Sequence, residues 1–126
     1  MTKIMELWHE ESLCMDPERL AGIYVEMGES RAKTVIAGAT EELALEMERL
    51  KGLMLAGHPR AMPQTARRLR DIAEPLGLCS LTQVAEDLAK TAATENRVAM
   101  AAILARLDRL ANQSLKMVWD LQDMSG

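Results

Sequence analysis

From about Asn96 to Gln122 the apolar positions Met100, Ile103, Leu104, Leu107, Leu110, Ala111, Leu115, Val118 and Leu121 form the longest clean helical stripe in the chain. Steps of three and four suit one face of a helix, not a strand whose faces alternate every second residue. The core available to such a helix is unusual. Aromatic residues make up 2% of the 126 positions, only Trp8, Tyr24 and Trp119, and there is no Phe. Leu, Ala and the 10 Met residues must fill the interior, a composition that favours helices over sheets.

Helical punctuation recurs upstream. Thr2 can cap a short segment through Leu13, and Asp16 with Pro17 forms a new N-cap and first-turn pair, with Gly28 closing that helix after Met27. Ser30 opens a long segment in which Val35, Ile36, Ala39, Leu43, Met47, Leu50 and Leu53 form an apolar stripe. Glu46 with Arg49, and Glu48 with Lys51, are placed on its solvated face. Gly38 followed by Thr40 allows a break, Gly57 ends the segment, and Pro59 or Pro63 starts the next. There Ala66, Leu69, Ile72, Ala73 and Leu76 point inward, while Arg67, Arg70, Asp71 and Glu74 lie opposite, before Pro75 and Gly77 stop the helix. Ser80 and Gln83 have capping-box spacing ahead of Val84, Leu88 and Ala92. The expectation is an all-α protein, an antiparallel four-helix bundle with additional short N-terminal helices, forming one domain over residues 1–126.

The formal net charge of −4 argues against duplex DNA or an anionic membrane as main partner. No run is long and apolar enough to span a bilayer, and the N-terminus turns charged too early for a secretory signal, so a cytoplasmic protein is expected. Cys14 and Cys79 stand 65 positions apart without any CxxC, and are read as two reduced structural thiols rather than a disulfide or zinc site. His9, Glu10, Glu11 and Cys14 lack the spacing of a metal site, and Glu41, Glu42, Glu46 and Glu48 lack the Glu-x-x-His pairs of a di-iron bundle. No nucleophile elbow, P-loop or dinucleotide fingerprint is present, so neither cofactor nor metal is expected.

One surface feature stands out. Arg60, Arg67 and Glu74 fall close together on a helical wheel, with Arg68, Arg70 and Asp71 flanking Arg67, a cationic strip on an acidic protein. No aromatic residues interleave with these arginines to stack bases, which argues against nucleic acid.

The stretch LALEMERLKGLMLAGHPRAMPQTARRLRDIAEPLG resembles the second and third bundle helices of histidine phosphotransfer (HPt) domains. Leu53 to Gly57 match the family's helix end, Ala66 precedes the key position, and Leu69, Ala73, Leu76 and Gly77 fall on its Leu, Ala, Leu and Gly without a gap. The resemblance covers residues 30–122 and leaves 1–28 as the variable N-terminal part. It implies a role in two-component phosphorelay signalling and docking to a receiver domain or histidine kinase. The family's phospho-accepting histidine falls on Arg67, its Lys on Arg70 and its small Gly on Asp71. Arginine offers no lone pair for attack on phosphorus, so the resemblance implies a degenerate, non-enzymatic member. Its docking surface would comprise Arg60, Arg67, Arg68, Arg70, Asp71 and Glu74. Two alternatives stay open. One is an active phosphotransferase using His58, nine positions before Arg67. The other is a scaffold that self-associates, for example as a homodimer, through its N-terminal helices with Leu7 and Trp8 on an apolar face.

Overall fold

The computed structural model describes residues 13–124, and the segment from Thr2 expected to be helical, with Leu7, Trp8 and His9, lies outside them but for Leu13. Five α-helices follow in order: α1 (Pro17–Met27), α2 (Glu29–Ala56), α3 (Met62–Ala73), α4 (Cys79–Ala93) and α5 (Arg97–Met124). Short 3-10 turns, Pro59–Ala61 and Glu74–Leu76, bracket α3. Among the described residues there is no strand, and no helix is long and apolar enough to cross a membrane.

Packing closes a ring. α3 packs on α4 and α2, α5 packs on α4 and α2, and α1 lies against α2 and the turn after α3. Lys51 on α2 fixes one side of that ring, because its Nζ sits 2.9 Å from Asp108 on α5 and 3.2 Å from Glu48. These two carboxylates, Asp108 foremost, raise the Lys51 pKa above the ordinary lysine value. The core contains Leu43, Leu50, Leu69, Leu81, Leu88, Leu107 and Leu110, with Met47, Met62 and Met100 filling positions that aromatic rings would occupy elsewhere.

Most of the expected punctuation is present. The Asp16 side chain accepts from the Glu18 N–H, Gly28 closes α1, and Gly57 ends α2 in the left-handed region at φ 73°. Differences have local causes. α2 runs unbroken through Gly38, because tertiary packing of Ile36, Thr40 and Leu43 outweighs one glycine's helix penalty. Val35 is exposed, since the stripe it was assigned to turns at Ile36. Glu46 is buried rather than solvated. Ser80 does not cap α4, which starts one residue earlier at Cys79; its Oγ instead accepts from the Cys14 N–H at 2.6 Å.

The cysteine expectation is overturned. Cys14 and Cys79 form a disulfide, with Cα atoms 5.5 Å apart despite a sequence separation of 65. Residues 13–16 cross the α3–α4 corner, where the Asp16 N–H donates to the Gly77 carbonyl at 2.8 Å and the Ser80 N–H to the Cys14 carbonyl at 3.3 Å. Sequence distance hides a contact that the corner creates. Gly77 is required there, because it adopts φ 76° and an added Cβ would fall 2.4 Å from the Asp16 carbonyl oxygen.

Gly77→Ala is expected to lower unfolding stability by roughly 1–3 kcal/mol, by combining left-handed strain with that backbone clash. Gly38→Ala, whose Cβ would meet nothing within 4 Å, should instead raise it by about 0.5–1 kcal/mol. Urea unfolding of both variants checks the pair, and equal effects would contradict the packing at the α3–α4 corner.

Candidate functional site

α3 owes its amphipathic form to Met62, Thr65, Ala66, Leu69 and Ala73, all buried, which leave the intervening arginines facing outward. At about 100° per residue, Arg68 and Arg70 diverge to either side of Arg67. Their partners confirm the divergence. Arg68 lies toward α2, its Nη1 3.9 Å from Glu46 Oε1. Arg70 lies toward α4, where its Nη1 donates to Glu86 Oε2 at 2.5 Å, while its Nε donates to Asp71 Oδ1 at 3.0 Å.

Charge is therefore distributed unevenly. The hydrogen bonds that Arg70 donates to Glu86 and Asp71 hold its guanidinium firmly protonated. Reciprocally, the Arg70 hydrogen bond lowers the Glu86 pKa below the ordinary carboxylate value, with further attraction from Arg70, Arg67 and Lys90. Glu46 is the deepest carboxylate in this region, its side chain 9% exposed. Its Oε2 accepts from Arg49 Nη1 at 2.7 Å, whereas Oε1 accepts no hydrogen bond and faces Arg68. Arg67 is exposed and makes no ion pair within 4.0 Å among the described residues.

The six residues expected to share one surface are placed as follows. Arg67, Arg68, Arg70 and Asp71 lie on α3 itself. Arg60 and Glu74 are exposed in the 3-10 turns before and after it, so a single uninterrupted helical row from 60 to 74 does not exist. The Glu74 backbone carbonyl accepts from Arg19 Nη1 of α1 at 3.4 Å, which places the end of the strip beside the N-terminal helix. His58 is exposed on the connection between α2 and the first 3-10 turn, at the rim of an open depression lined by Gly57, Pro59, Arg60, Ala61 and Glu95. Sequence reasoning missed Glu86, Lys90 and Glu46, which belong to this surface through α4 and α2. The i to i+4 spacing of Glu86 and Lys90 was visible, but nothing in the sequence assigned them to Arg67 and Arg70. No group of three or more His, Cys, Asp or Glu side chains is arranged to hold a metal among the described residues.

The bundle and the register of α3 define the fold as all-α and HPt-like. A solved structure with this fold is the crystal structure of histidine-containing phosphotransfer protein B (HptB) from Pseudomonas aeruginosa PAO1. The two agree with a TM-score of 0.80 over 87% of this chain and 95% of that one, at 15% sequence identity. No protein-family model matches the chain, and no curated protein does.

The Arg70 and Glu86 pair gives a signed pH dependence. Because the folded Glu86 pKa is depressed, its contribution is complete above the unfolded carboxylate's pKa and is lost as pH falls through the folded value. Glu86→Gln should therefore lower the urea midpoint at pH 7, and the gap to the unmodified protein should narrow steadily on acidification to pH 3. A gap that stays constant would show that Glu86 acts through packing alone.

Proposed function

We propose that this chain is an HPt-like component of two-component phosphorelay signalling that docks a receiver domain, or the histidine kinase that supplies one, without carrying a phosphoryl group itself. The observation that carries the reading is Arg67. In the resemblance to HPt domains it falls on the phospho-accepting histidine, and on α3 it is exposed with no ion pair within 4.0 Å among the described residues. The fold supports the family reading, and the substitution supports the loss of transfer chemistry. A guanidinium stays protonated and presents no lone pair, so it cannot attack phosphorus.

What it can do is bind. A receiver pocket is acidic, and Arg67 can make a charge-assisted, bidentate contact to an aspartate or to its phosphorylated form. Arg70 has a different part. Its bonds to Glu86 and Asp71 hold it in place, so it supplies positive field and buttresses the α3–α4 face rather than reaching outward. Arg60, Arg68, Asp71 and Glu74 form the polar rim, where charges tune association rate more than affinity.

His58 is the rival phospho-acceptor. It stands on the connecting turn before the 3-10 turn Pro59–Ala61, outside α3, the helix that carries Arg67.

The test is titration of a receiver domain, phosphorylated and unphosphorylated, against the full chain. Arg67→Ala should weaken binding about tenfold or more, and Arg70→Ala less, because Arg70 already has partners within the fold. Unchanged binding in Arg67→Ala would remove the proposed contact. Acid-labile phosphate on His58 after incubation with phosphorylated receiver would replace this reading with an active phosphotransferase.

A further inference from the structure

We infer that Cys14 and Cys79 are a reversible thiol–disulfide exchange site, with a low-molecular-weight disulfide such as oxidised glutathione as its reaction partner, and that the bond latches α1 onto the α3–α4 corner. This inference is independent of what docks on α3.

The two sulfurs stand in different settings. Cys14 is exposed on the strap leading into α1, whereas Cys79 is half-buried as the first residue of α4. An incoming thiolate is therefore directed to Cys14, the more exposed residue of the pair, and the departing charge falls on Cys79 in the first turn of α4, where the helix dipole favours negative charge. In the opening direction, a glutathione thiolate attacks Cys14 Sγ, the Cys14–Cys79 bond breaks, and Cys79 leaves as a thiolate that takes up a proton. A second glutathione thiolate then attacks the glutathione sulfur of the mixed disulfide, releasing the Cys14 thiol and oxidised glutathione. Closing is the reverse, with two protein thiols oxidised and one glutathione disulfide reduced to two thiols. The two cysteines are the chain's full complement, so no third thiol competes for either.

Opening has a structural consequence because the strap's other ties are modest, Leu13 and Met15 being only partly buried against the core. Three hydrogen bonds remain: Cys14 N–H to Ser80 Oγ, Ser80 N–H to the Cys14 carbonyl, and Asp16 N–H to the Gly77 carbonyl. The first is solvent-exposed. α1 adds one buried apolar side chain, Leu20, with Ile23 and Tyr24 partly buried against the core, and the long Arg19 contact to the Glu74 carbonyl. Losing the covalent tie leaves α1 as the least anchored described helix, the kind of element that opens locally before the bundle does.

The experiment equilibrates the full chain in glutathione buffers of graded reduced-to-oxidised ratio, traps the thiols, and follows trypsin cleavage after Arg19 by mass spectrometry. The disulfide should open and close across millimolar buffers, and cleavage after Arg19 should be about tenfold or more faster in the reduced form, with α5 sites unchanged. Cys14→Ser, and separately Cys79→Ser, should cleave at the reduced rate in every buffer. A bond that stays closed at all ratios is a static staple and overturns the exchange site. A bond that opens without changing cleavage after Arg19 overturns the latch, as does a reduced form whose α5 sites open equally.

Discussion

The contact on which the rest depends is the close packing of α3 against α4. Both helices bury alanine: Ala66 and Ala73 on α3, and Ala85, Ala89 and Ala92 on α4, each at most 1% exposed. Small side chains let helix axes approach within the shorter part of the usual range, and leucines such as Leu69, Leu81 and Leu88 fill the layers between. A chain without phenylalanine gains its buried area by this route. The consequence reaches the surface, where Arg70 of α3 comes within hydrogen-bonding range of Glu86 of α4.

That same packing sorts the arginines. Three guanidinium groups within four positions of α3 would repel one another if all faced solvent together. The fold gives Arg68 a buried carboxylate on α2 and Arg70 a carboxylate on α4, leaving Arg67 outward between them. Asp71 turns its charge onto Arg70 instead of toward the space in front of Arg67. Residues 67, 70 and 71 form one electrostatic arrangement, with Arg67 at its centre and Asp71 and Glu86 engaged by Arg70.

The N-terminal part follows a different logic from the four-helix ring. It is joined to the corner by a covalent bond and backbone hydrogen bonds, with Leu13, Met15, Leu20, Ile23 and Tyr24 packed into or against the core, and its contact point, Gly77, is also the stop signal that ends the turn after α3. One glycine thus serves two elements. The strap sits beside Glu74, so its geometry and that of the strip's last residue are set at the same corner.

Local chemistry was legible in the chain alone. The stripe of α5 from Met100 to Val118, the Asp16 and Pro17 start of α1, and the glycine stops at 28, 57 and 77 all follow from neighbours within a few residues, whereas Leu121 at the end of that stripe is exposed. Side-chain periodicity and backbone freedom act over that range, so sequence reports them faithfully. What lay beyond it was decided by tertiary structure. Glu46 reads as a surface residue from its ion-pair spacing, yet the approach of α3 buries it; Ser80 reads as a helix cap, yet the strap claims its hydroxyl. Cys14 and Cys79 became partners, and Glu86 became the anchor of Arg70, through contacts between segments far apart in the chain. Pattern and spacing fix which face of each helix turns inward, but only the assembled bundle fixes which charged and sulfur-bearing groups on separate segments come within bonding distance.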